Sequence, residues 1–336
     1  MSTSATDTFL DDLKGVSKGK KNQIEIKPDS TLEKLLDARE TYEIDTFPLP
    51  TRSIQEDISK QTKKLSQYLE KEEIDYSETD IVDLVNYANI QDYTHDESQR
   101  TGVYIGALIT LLTKENEVQD KRTIIEIPEN YLNYLGYGCE KFDVIKLGVD
   151  FGNYVFNYMN EGKLLYVDRC EGYWFANCAG SHEGKVDHII ANTVNGDGFA
   201  QWAGGSKGKV DHIIANTVNG TCFAFVAGSV KGKINHILAN TVNGHGFAGG
   251  AGSNEGKVNY IIANEVNGEG FARLAGMDNG KVDYILANTV NGDDFTKNAE
   301  GKILKNSQQA TELYGQKIAE VKKVLAEHGI DWGEEL

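Results

Sequence analysis

The most regular pattern along the chain is a 24-residue phrase of apolar and polar positions that occurs five times between Gly184 and Asn291. Each copy opens as Gly-Lys-Val-Asp-His-Ile-Ile-Ala-Asn-Thr-Val-Asn-Gly, with small changes, and continues through Phe-Ala to Ala-Gly. Short β-branched runs bounded by such turns are typical of strands, and no window keeps a 3.6-residue period long enough for a helix. A fixed period of this length predicts a solenoid whose units bury their apolar faces against one another.

We therefore expect a mainly β protein, with a parallel β-helix of 24-residue coils over residues 123–302. Strands of about five residues every 8–12 positions, in about six to seven coils, predict a rod roughly 30 Å long. Thr123–Ile127 is expected to be a strand that Pro128 ends, and Phe142–Leu147 is expected to be another. The Gly-Lys pairs predict a pitch of 22 residues at first, then 24, and 21 at the end. They begin at residues 162, 184, 208, 232, 256, 280 and 301.

Residues 31–122 show the periodicity of a small helical domain. Apolar residues from Ile54 to about Lys71 lie on one face of a helix, and Ser77 with Asp80 predicts the N-terminal cap of the next one. A further helix, about Glu97–Lys114, is apolar nearly all round, so we expect it to be the buried centre of this domain.

The remaining segments are expected to finish the two ends of the molecule. Residues 1–30 are polar and predict a flexible tail, and Phe47–Pro50 predicts an extended link. Residues 303–336 hold an amphipathic helix that Ser307 is placed to cap. Because a solenoid exposes an unpaired strand edge at each end, we expect this C-terminal capping helix to cover one edge and the helical domain the other.

Residues 24 apart lie directly above one another in such a rod, so each repeat position forms a column. Stacked asparagines are expected to be hydrogen-bonded amide ladders with a structural role, and the phenylalanines are expected in the core. The asparagine columns are Asn192, Asn216, Asn240, Asn264 and Asn288, and Asn195, Asn219, Asn243, Asn267 and Asn291. The phenylalanine column is Phe199, Phe223, Phe247, Phe271 and Phe295.

A column of ring-bearing residues is the candidate metal site. It contains His188, His212, His236, Tyr260 and Tyr284. Histidines about 5 Å apart on neighbouring strands are placed to share a metal ion. Its continuation as tyrosine favours an aromatic stack instead, and strand alternation places Asp187 and Asp211 on the opposite face. We therefore expect no metal, with His188, His212 and His236 as the candidate ligands if one binds.

A lysine column is the candidate surface for an anion or a partner protein. It contains Lys185, Lys209, Lys233, Lys257 and Lys281. An Asp or Asn stands two residues after each lysine, hence on the same face of the strand. This spacing favours a lattice of ion pairs that neutralises itself at the surface.

Composition removes several classes of function. The formal net charge of −17 over 336 residues disfavours a nucleic-acid partner. The longest apolar run, Val103–Leu112, is about half of a membrane span, so no membrane is expected. The four cysteines lack zinc spacing and the first residues lack a signal peptide, so we expect a cytoplasmic protein. No dinucleotide fingerprint, calcium loop or nucleophile–base arrangement is present, so we expect no cofactor and no catalytic residue.

Two stretches carry a resemblance to a known family. Gly152-Asn-Tyr-Val-Phe-Asn-Tyr-Met-Asn-Glu-Gly-Lys-Leu-Leu-Tyr-Val is followed by Cys170-Glu-Gly-Tyr-Trp, and Gly152 matches Gly172 at 20 residues, as Gly172 matches Gly196 at 24. Over about Val144–Gly180 the chain resembles the GXGXG β-helix family, which includes the C-terminal domain of the glutamate synthase large subunit and one of the subunits of formylmethanofuran dehydrogenase. With its helical N-terminal domain, the whole chain is similar to archaeal-type proteins that carry such a solenoid. The resemblance implies a right-handed β-helix that serves as a spacer or scaffold beside catalytic subunits.

The sequence thus predicts a non-catalytic β-solenoid scaffold or protein-interaction module in the cytoplasm, with another protein or complex as its partner. Two alternatives stay open: an accessory subunit of a redox or amidotransfer enzyme complex of the formylmethanofuran dehydrogenase or glutamate synthase type, and anion or metal binding along the lysine or histidine column. A specific site is expected where the repetition breaks. These places are Glu265, the Tyr260/Tyr284 end, the coils at Gly152–Gly180 and the seam with the helical domain.

Overall fold

A single parallel sheet of nine strands, stacked in sequence order, forms the body of the protein. The computed structural model describes residues 31–41, 52–305 and 308–330, so the predicted tail, the link at Phe47–Pro50 and the cap at Ser307 lie outside the described residues. The strands are Ile124–Asn130 (β1), Lys141–Asp150 (β2), Glu161–Cys170 (β3), Lys185–Val194 (β4), Lys209–Val218 (β5), Lys233–Val242 (β6), Lys257–Val266 (β7), Lys281–Val290 (β8) and Lys302–Lys305 (β9). The predicted parallel β-solenoid is confirmed.

The strand register confirms the 24-residue coil and corrects its two ends. Strands β3 to β8 pair at 24 residues, β1 to β3 at 20, and β8 with β9 at 18. The pitch predicted from the Gly-Lys pairs is therefore wrong at both ends: Gly162 pairs with Val186, and Lys302 with Tyr284. Gly162 is not a corner glycine, because the ring of Phe142 occupies the space where its side chain would lie.

Only one side of each coil is a strand. The segments between strands are turns in which every second residue has a positive φ, such as Cys222, Ala224 and Val226 at 59°, 49° and 53°. Their N–H groups donate alternately to the following and the preceding coil, as in Cys222 to the carbonyl of His245 and Ala224 to that of Phe199, both 2.8 Å. These bonds satisfy the buried backbone without a pleat. The prediction of five-residue strands every 8–12 positions is therefore wrong: each repeat has one ten-residue strand.

The interior of the rod is a set of apolar columns. Phe223 is buried, and its ring stacks on Phe199 and Phe247 at centroid distances of 5.2 and 5.0 Å, which confirms the predicted phenylalanine column. Backbone stacks on backbone at the corners, where an added Cβ on Gly220 would overlap the carbonyl oxygen of Gly196. This close approach explains why the corner positions are glycine in successive coils.

Four helices precede the sheet and share its core. They are Thr31–Thr41 (α1), Arg52–Lys71 (α2), Glu78–Asn89 (α3) and His95–Val118 (α4). The predicted cap of α3 is confirmed, since Asp80 accepts a 2.9 Å hydrogen bond from the backbone N–H of Ser77. Helix α4 lies against the first coil, where Gly136 N–H donates to the Gly102 carbonyl at 3.0 Å. The helical domain therefore covers the first end of the rod, and one apolar cluster runs from α1 into β8.

Pro128 does not end the first strand. Strand β1 continues to Asn130, and Ile127 and Glu129 on either side of the proline both pair with β2. A proline lacks the N–H that a second neighbouring strand would need, but β1 pairs with β2 alone. The predicted stop is therefore wrong because β1 is an edge strand.

The predicted C-terminal amphipathic helix is present, as α5 (Gln308–Glu327), but it lies along the side of the rod. Its apolar side chains pack on a column of seven residues on the outer face of the sheet: Val144, Leu164, Ile190, Ile214, Leu238, Ile262 and Leu286. Ile189 and Ala191 point into the rod, so Ile190 between them points outward and needs a cover. The expected position of this helix across the end of the rod is thus corrected.

The far end of the rod is finished by a short, charged strand. Strand β9 has four residues, and its two lysines reach back over aromatic rings of the preceding coil. Lys302 Nζ lies 5.4 Å from the ring centroid of Tyr284, and Lys305 Nζ lies 5.4 Å from that of Phe295. Short edge strands with lysines discourage pairing with another chain.

Candidate functional site

The outer face of the sheet brings two candidate columns together. In β4, Val186 and Ile189 both point into the core, so Asp187 and His188 between them both face outward. Strand pairing passes over Asp187, since Val186 and His188 have direct partners in β5 and Asp187 has none. The expectation that Asp187 and Asp211 lie on the opposite face from the histidines is therefore wrong. The strict two-residue alternation behind it breaks at this position in each repeat.

The ring-bearing column is a continuous stack. Ring centroids are separated by 4.8 Å for His188–His212, 4.8 Å for His212–His236, 5.2 Å for His236–Tyr260 and 5.3 Å for Tyr260–Tyr284. The aromatic stack that the tyrosines favoured is confirmed. Among the described residues, no group of three His, Cys, Asp or Glu side chains is arranged to hold a metal ion. We refer to this stack as the histidine ladder.

Helix α5 covers part of the histidine ladder and keeps it neutral. Lys317 Nζ lies 5.3 Å from the ring centroid of Tyr260. Burial lowers the pKa of His188, His212 and His236 from 6.5 to about 4, and the next cause is a neighbouring imidazole for the first two and Lys317 for the third. One nitrogen of each ring is buried without a hydrogen-bond partner. At neutral pH these residues are therefore uncharged packing groups.

The lysine column is largely neutralised by its own aspartates. The ion pairs are Lys185–Asp187 at 2.6 Å, Lys209–Asp211 at 2.7 Å, Lys281–Asp283 at 2.9 Å and Lys257–Asp283 at 3.7 Å. Lys233 is followed by Asn235 and forms no ion pair with the described residues. The arrangement matches the self-neutralising lattice, in which each exposed pair contributes less than about 1 kcal/mol. It does not form a strip of unpaired cations.

The asparagine columns are hydrogen-bonded ladders, as predicted. Asn216 Nδ2 donates to Asn192 Oδ1 at 3.1 Å, and the same bond recurs in every later coil of both columns. A third ladder, which was not predicted, runs from Asn259 through Asn235 to Asp211. Its signal was present in the sequence, because these residues also lie 24 apart. All three ladders use their polar groups on one another.

A cleft of about 550 Å³ lies at the seam between α4 and the first residues of β2, β3 and β4. Asp143 is its buried carboxylate, 2.9 Å from Lys163 Nζ and 3.7 Å from Arg122 Nε. The cleft contains equal numbers of basic and acidic side chains. The basic residues are Lys121, Arg122, Lys141, Lys163 and Lys185, and the acidic residues are Glu117, Asp120, Asp143, Glu161 and Asp187. Because the charges balance, the cleft favours no ligand of one charge.

Exposed aromatic rings concentrate on the turns that follow β1 to β4. Their side chains keep the following exposed fractions: Tyr131 52%, Phe151 40%, Tyr173 55%, Trp174 39% and Trp202 40%. We refer to these five residues as the aromatic surface. Tyr131 and Phe151 stack at 4.9 Å, whereas in later coils Gly246 and Gly250 stand in the columns of Trp174 and Trp202. None of the five was singled out from the sequence as a site residue, although two of them lie in the irregular coils where a site was expected.

None of the helices in the described ranges combines the length and the apolar character needed to cross a membrane. No protein-family model, no curated protein and no solved structure matches this chain.

Proposed function

We propose that this protein is a non-catalytic β-solenoid scaffold in the cytoplasm that binds a protein partner through the aromatic surface. The observation that carries this proposal is the exposure of five aromatic rings on one part of the rod. Tyrosine and tryptophan are enriched at the centres of protein interfaces, because they bury much apolar area with little loss of conformational freedom. A protein partner is therefore the occupant that this surface fits.

The regular part of the rod supports the same proposal by what it withholds. The asparagine ladders, the lysine–aspartate pairs and the histidine ladder bind mainly within their own columns. A group that is already satisfied gains little from a ligand, since binding would exchange one hydrogen bond for another. The partner surface is thus assigned to the first coils, where repetition is lost.

A narrower form of the proposal is an accessory subunit of a redox or amidotransfer enzyme complex. What supports it is the resemblance of the stretch from Gly152 to Trp174 to the GXGXG β-helix family, because this stretch includes Tyr173 and Trp174 of the aromatic surface. In this form the partner protein carries the flavin, iron–sulfur or molybdopterin group, and this chain contributes the docking surface.

The test is affinity purification of the full chain from its native cells after chemical cross-linking. We expect wild type to recover a defined partner and the double variant Trp174→Ala/Trp202→Ala to recover at least tenfold less of it. Ile303→Ala is the matched control, because Ile303 is exposed to a similar degree, 42%, at the other end of the rod. This control should keep the partner.

Two results would overturn the proposal or redirect it. Recovery of wild type alone, together with a monomeric mass in solution, would remove the scaffold function. A partner retained by the double tryptophan variant would move the interface away from the aromatic surface. Co-purification with flavin, iron–sulfur or molybdopterin proteins would select the accessory-subunit form, and their consistent absence would exclude it.

A further inference from the structure

Four of the seven histidines meet where α5 lies on the sheet. Three are the members of the histidine ladder, and the fourth is His328, directly after α5. His328 Nδ1 accepts a 2.7 Å hydrogen bond from Arg122 Nη2, which ties the end of the helix to the start of the rod. Such a concentration of imidazoles at one contact makes this contact sensitive to protons.

Helix α5 is held differently from every strand. Its apolar side chains form a cluster with the outward column that is separate from the core of the rod. Further contacts come from side chains, such as the 3.1 Å hydrogen bond from the Tyr314 hydroxyl to Asn240 Oδ1 and the position of Lys317 over Tyr260. The strands, in contrast, pair through their backbones along the whole sheet. Elements held by side chains alone open at lower free energy than a paired core.

The charges around the four histidines include both signs. From the strands, Asp187 and Asp211 face His188, and Asp211 also faces His212 and His236. From the helix side, the facing groups are His328 for His188, Glu320 and Lys317 for His212, and Lys317 for His236. Arg122, Asp143, Lys146 and Glu327 face His328. Despite these carboxylates, burial is the largest cause in each case and lowers the pKa of all four histidines.

We propose that α5 is an acid-released latch: protonation of these four histidines detaches the helix from the sheet and leaves the rod folded. An imidazolium in the ladder would lie 4.8 Å from its neighbour, so successive charges repel one another. A protonated His328 has no lone pair to accept the hydrogen bond from Arg122. Detachment relieves both and uncovers the outward apolar column.

The sign of the effect follows from proton binding. The ladder histidines have a pKa of about 4 with the helix in place and return towards 6.5 when solvent reaches them. The detached state therefore binds more protons, and lowering the pH from about 6.5 to about 4 favours it. For one isolated histidine this difference corresponds to a bias of up to roughly 300-fold.

The test is hydrogen exchange of the full chain between pH 7.5 and pH 4, corrected for the intrinsic pH dependence of exchange. We expect amides of α5 to exchange at least tenfold faster at pH 4.5 than at pH 7.5, while those of β5 and β6 keep their protection. The variant His188→Tyr/His212→Tyr/His236→Tyr copies the tyrosines already in this column and should keep α5 protected at pH 4.5. His245→Tyr, at an exposed position outside the ladder, should behave as wild type.

Three results would overturn the latch. They are protection of α5 in wild type down to pH 4, simultaneous loss of protection in α5 and the strands, and release of the triple variant at the wild-type pH. If the triple variant does not fold, His328→Gln replaces it, because glutamine keeps an acceptor for Arg122 and cannot be protonated. Release of His328→Gln at a lower pH than wild type supports the latch, and an unchanged release pH overturns it.

Discussion

Asn192 donates a 3.0 Å hydrogen bond from its amide Nδ2 to Oδ1 of Asp168, one coil earlier. The second ladder begins in the same way, with Asn195 donating to Glu171 at 2.8 Å. A carboxylate accepts hydrogen bonds and donates none, so it fits only at the end towards which the Nδ2 groups point. The acidic residue therefore fixes the direction of each ladder.

A carboxylate in the middle of a ladder should be harmful. Asn216→Asp would still accept from Asn240 but would face the Oδ1 of Asn192 with no proton to donate. We expect it to lower the free energy of unfolding by about 1–3 kcal/mol at neutral pH, measured by denaturant unfolding. Asp168→Asn is the control, because it keeps an acceptor for Asn192 and should change stability by less than about 1 kcal/mol. Equal effects of the two variants would contradict a fixed direction.

The corner glycines should not tolerate a methyl group. An alanine at Gly220 would overlap the carbonyl oxygen of Gly196, which is backbone that cannot move aside locally. We expect Gly220→Ala to destabilise the rod by about 3 kcal/mol or more in denaturant unfolding. Gly315→Ala is the control on α5, where an added Cβ meets nothing within 4 Å and helix propensity should stabilise the helix by about 1 kcal/mol. A neutral Gly220→Ala would show that the coils are not in backbone contact.

The buried carboxyl of Asp150 should make stability depend on pH. Burial raises its pKa to about 7, against hydrogen bonds from Asn130 and Gly152 that lower it, and its second oxygen has no partner. The folded chain thus holds this proton more tightly than the unfolded chain, so its charge costs stability above pH 7 and this cost disappears as the pH falls towards 4. Relative to wild type, Asp150→Asn should gain on the order of 2–4 kcal/mol between pH 4 and pH 8.

Thermal or denaturant unfolding of Asp150→Asn at several pH values measures this gain. Asp143→Asn is the control of opposite sign, because Asp143 is a buried carboxylate held by Lys163 and Arg122. Its loss should destabilise the protein at pH 8. A gain for Asp150→Asn that does not vary with pH would contradict the titration of this group.

The stacked phenylalanines should dominate the stability of the middle coils. Phe223 is 1% exposed and lies between Phe199 and Phe247. We expect Phe223→Ala to reduce the free energy of unfolding by about 3–5 kcal/mol, since the cavity is enclosed by stacked rings and cannot collapse. Phe225→Ala, two residues later and half-buried, should reduce it by much less. Denaturant midpoints of the two variants that coincide would contradict this assignment of the core.

The sequence was most informative where residues repeat at 24. Identical columns such as Asn192 and Asn216 have only one arrangement in which they lie together, so the solenoid, its ladders and its phenylalanine core were predictable. The turn segments were not, because alternating positive φ leaves a glycine in only some coils: Gly198 and Gly246 stand where Cys222 has the same conformation. Neither strand nor helix periodicity detects such backbone.

The position of α5 was hidden for a different reason. An amphipathic pattern shows that a helix has an apolar face and does not show which surface receives it. A signal for the receiving surface was present in Ile189-Ile190-Ala191, since three successive apolar residues in a strand place at least one on the outer face. The candidate histidines lie next to this column, so the same missed step also concealed the contact between His188 and the C-terminal helix region.

Helix α5 also acts as a ruler for the number of repeats. Its 20 residues span about 30 Å, which matches the six spacings of about 4.8 Å between the seven residues of the outward column. One more 24-residue unit would lengthen the rod by about 4.8 Å and leave an outward isoleucine or leucine bare, unless the helix grew by about three residues. Duplication of repeats in such a chain is therefore coupled to the length of a segment that is not itself repeated.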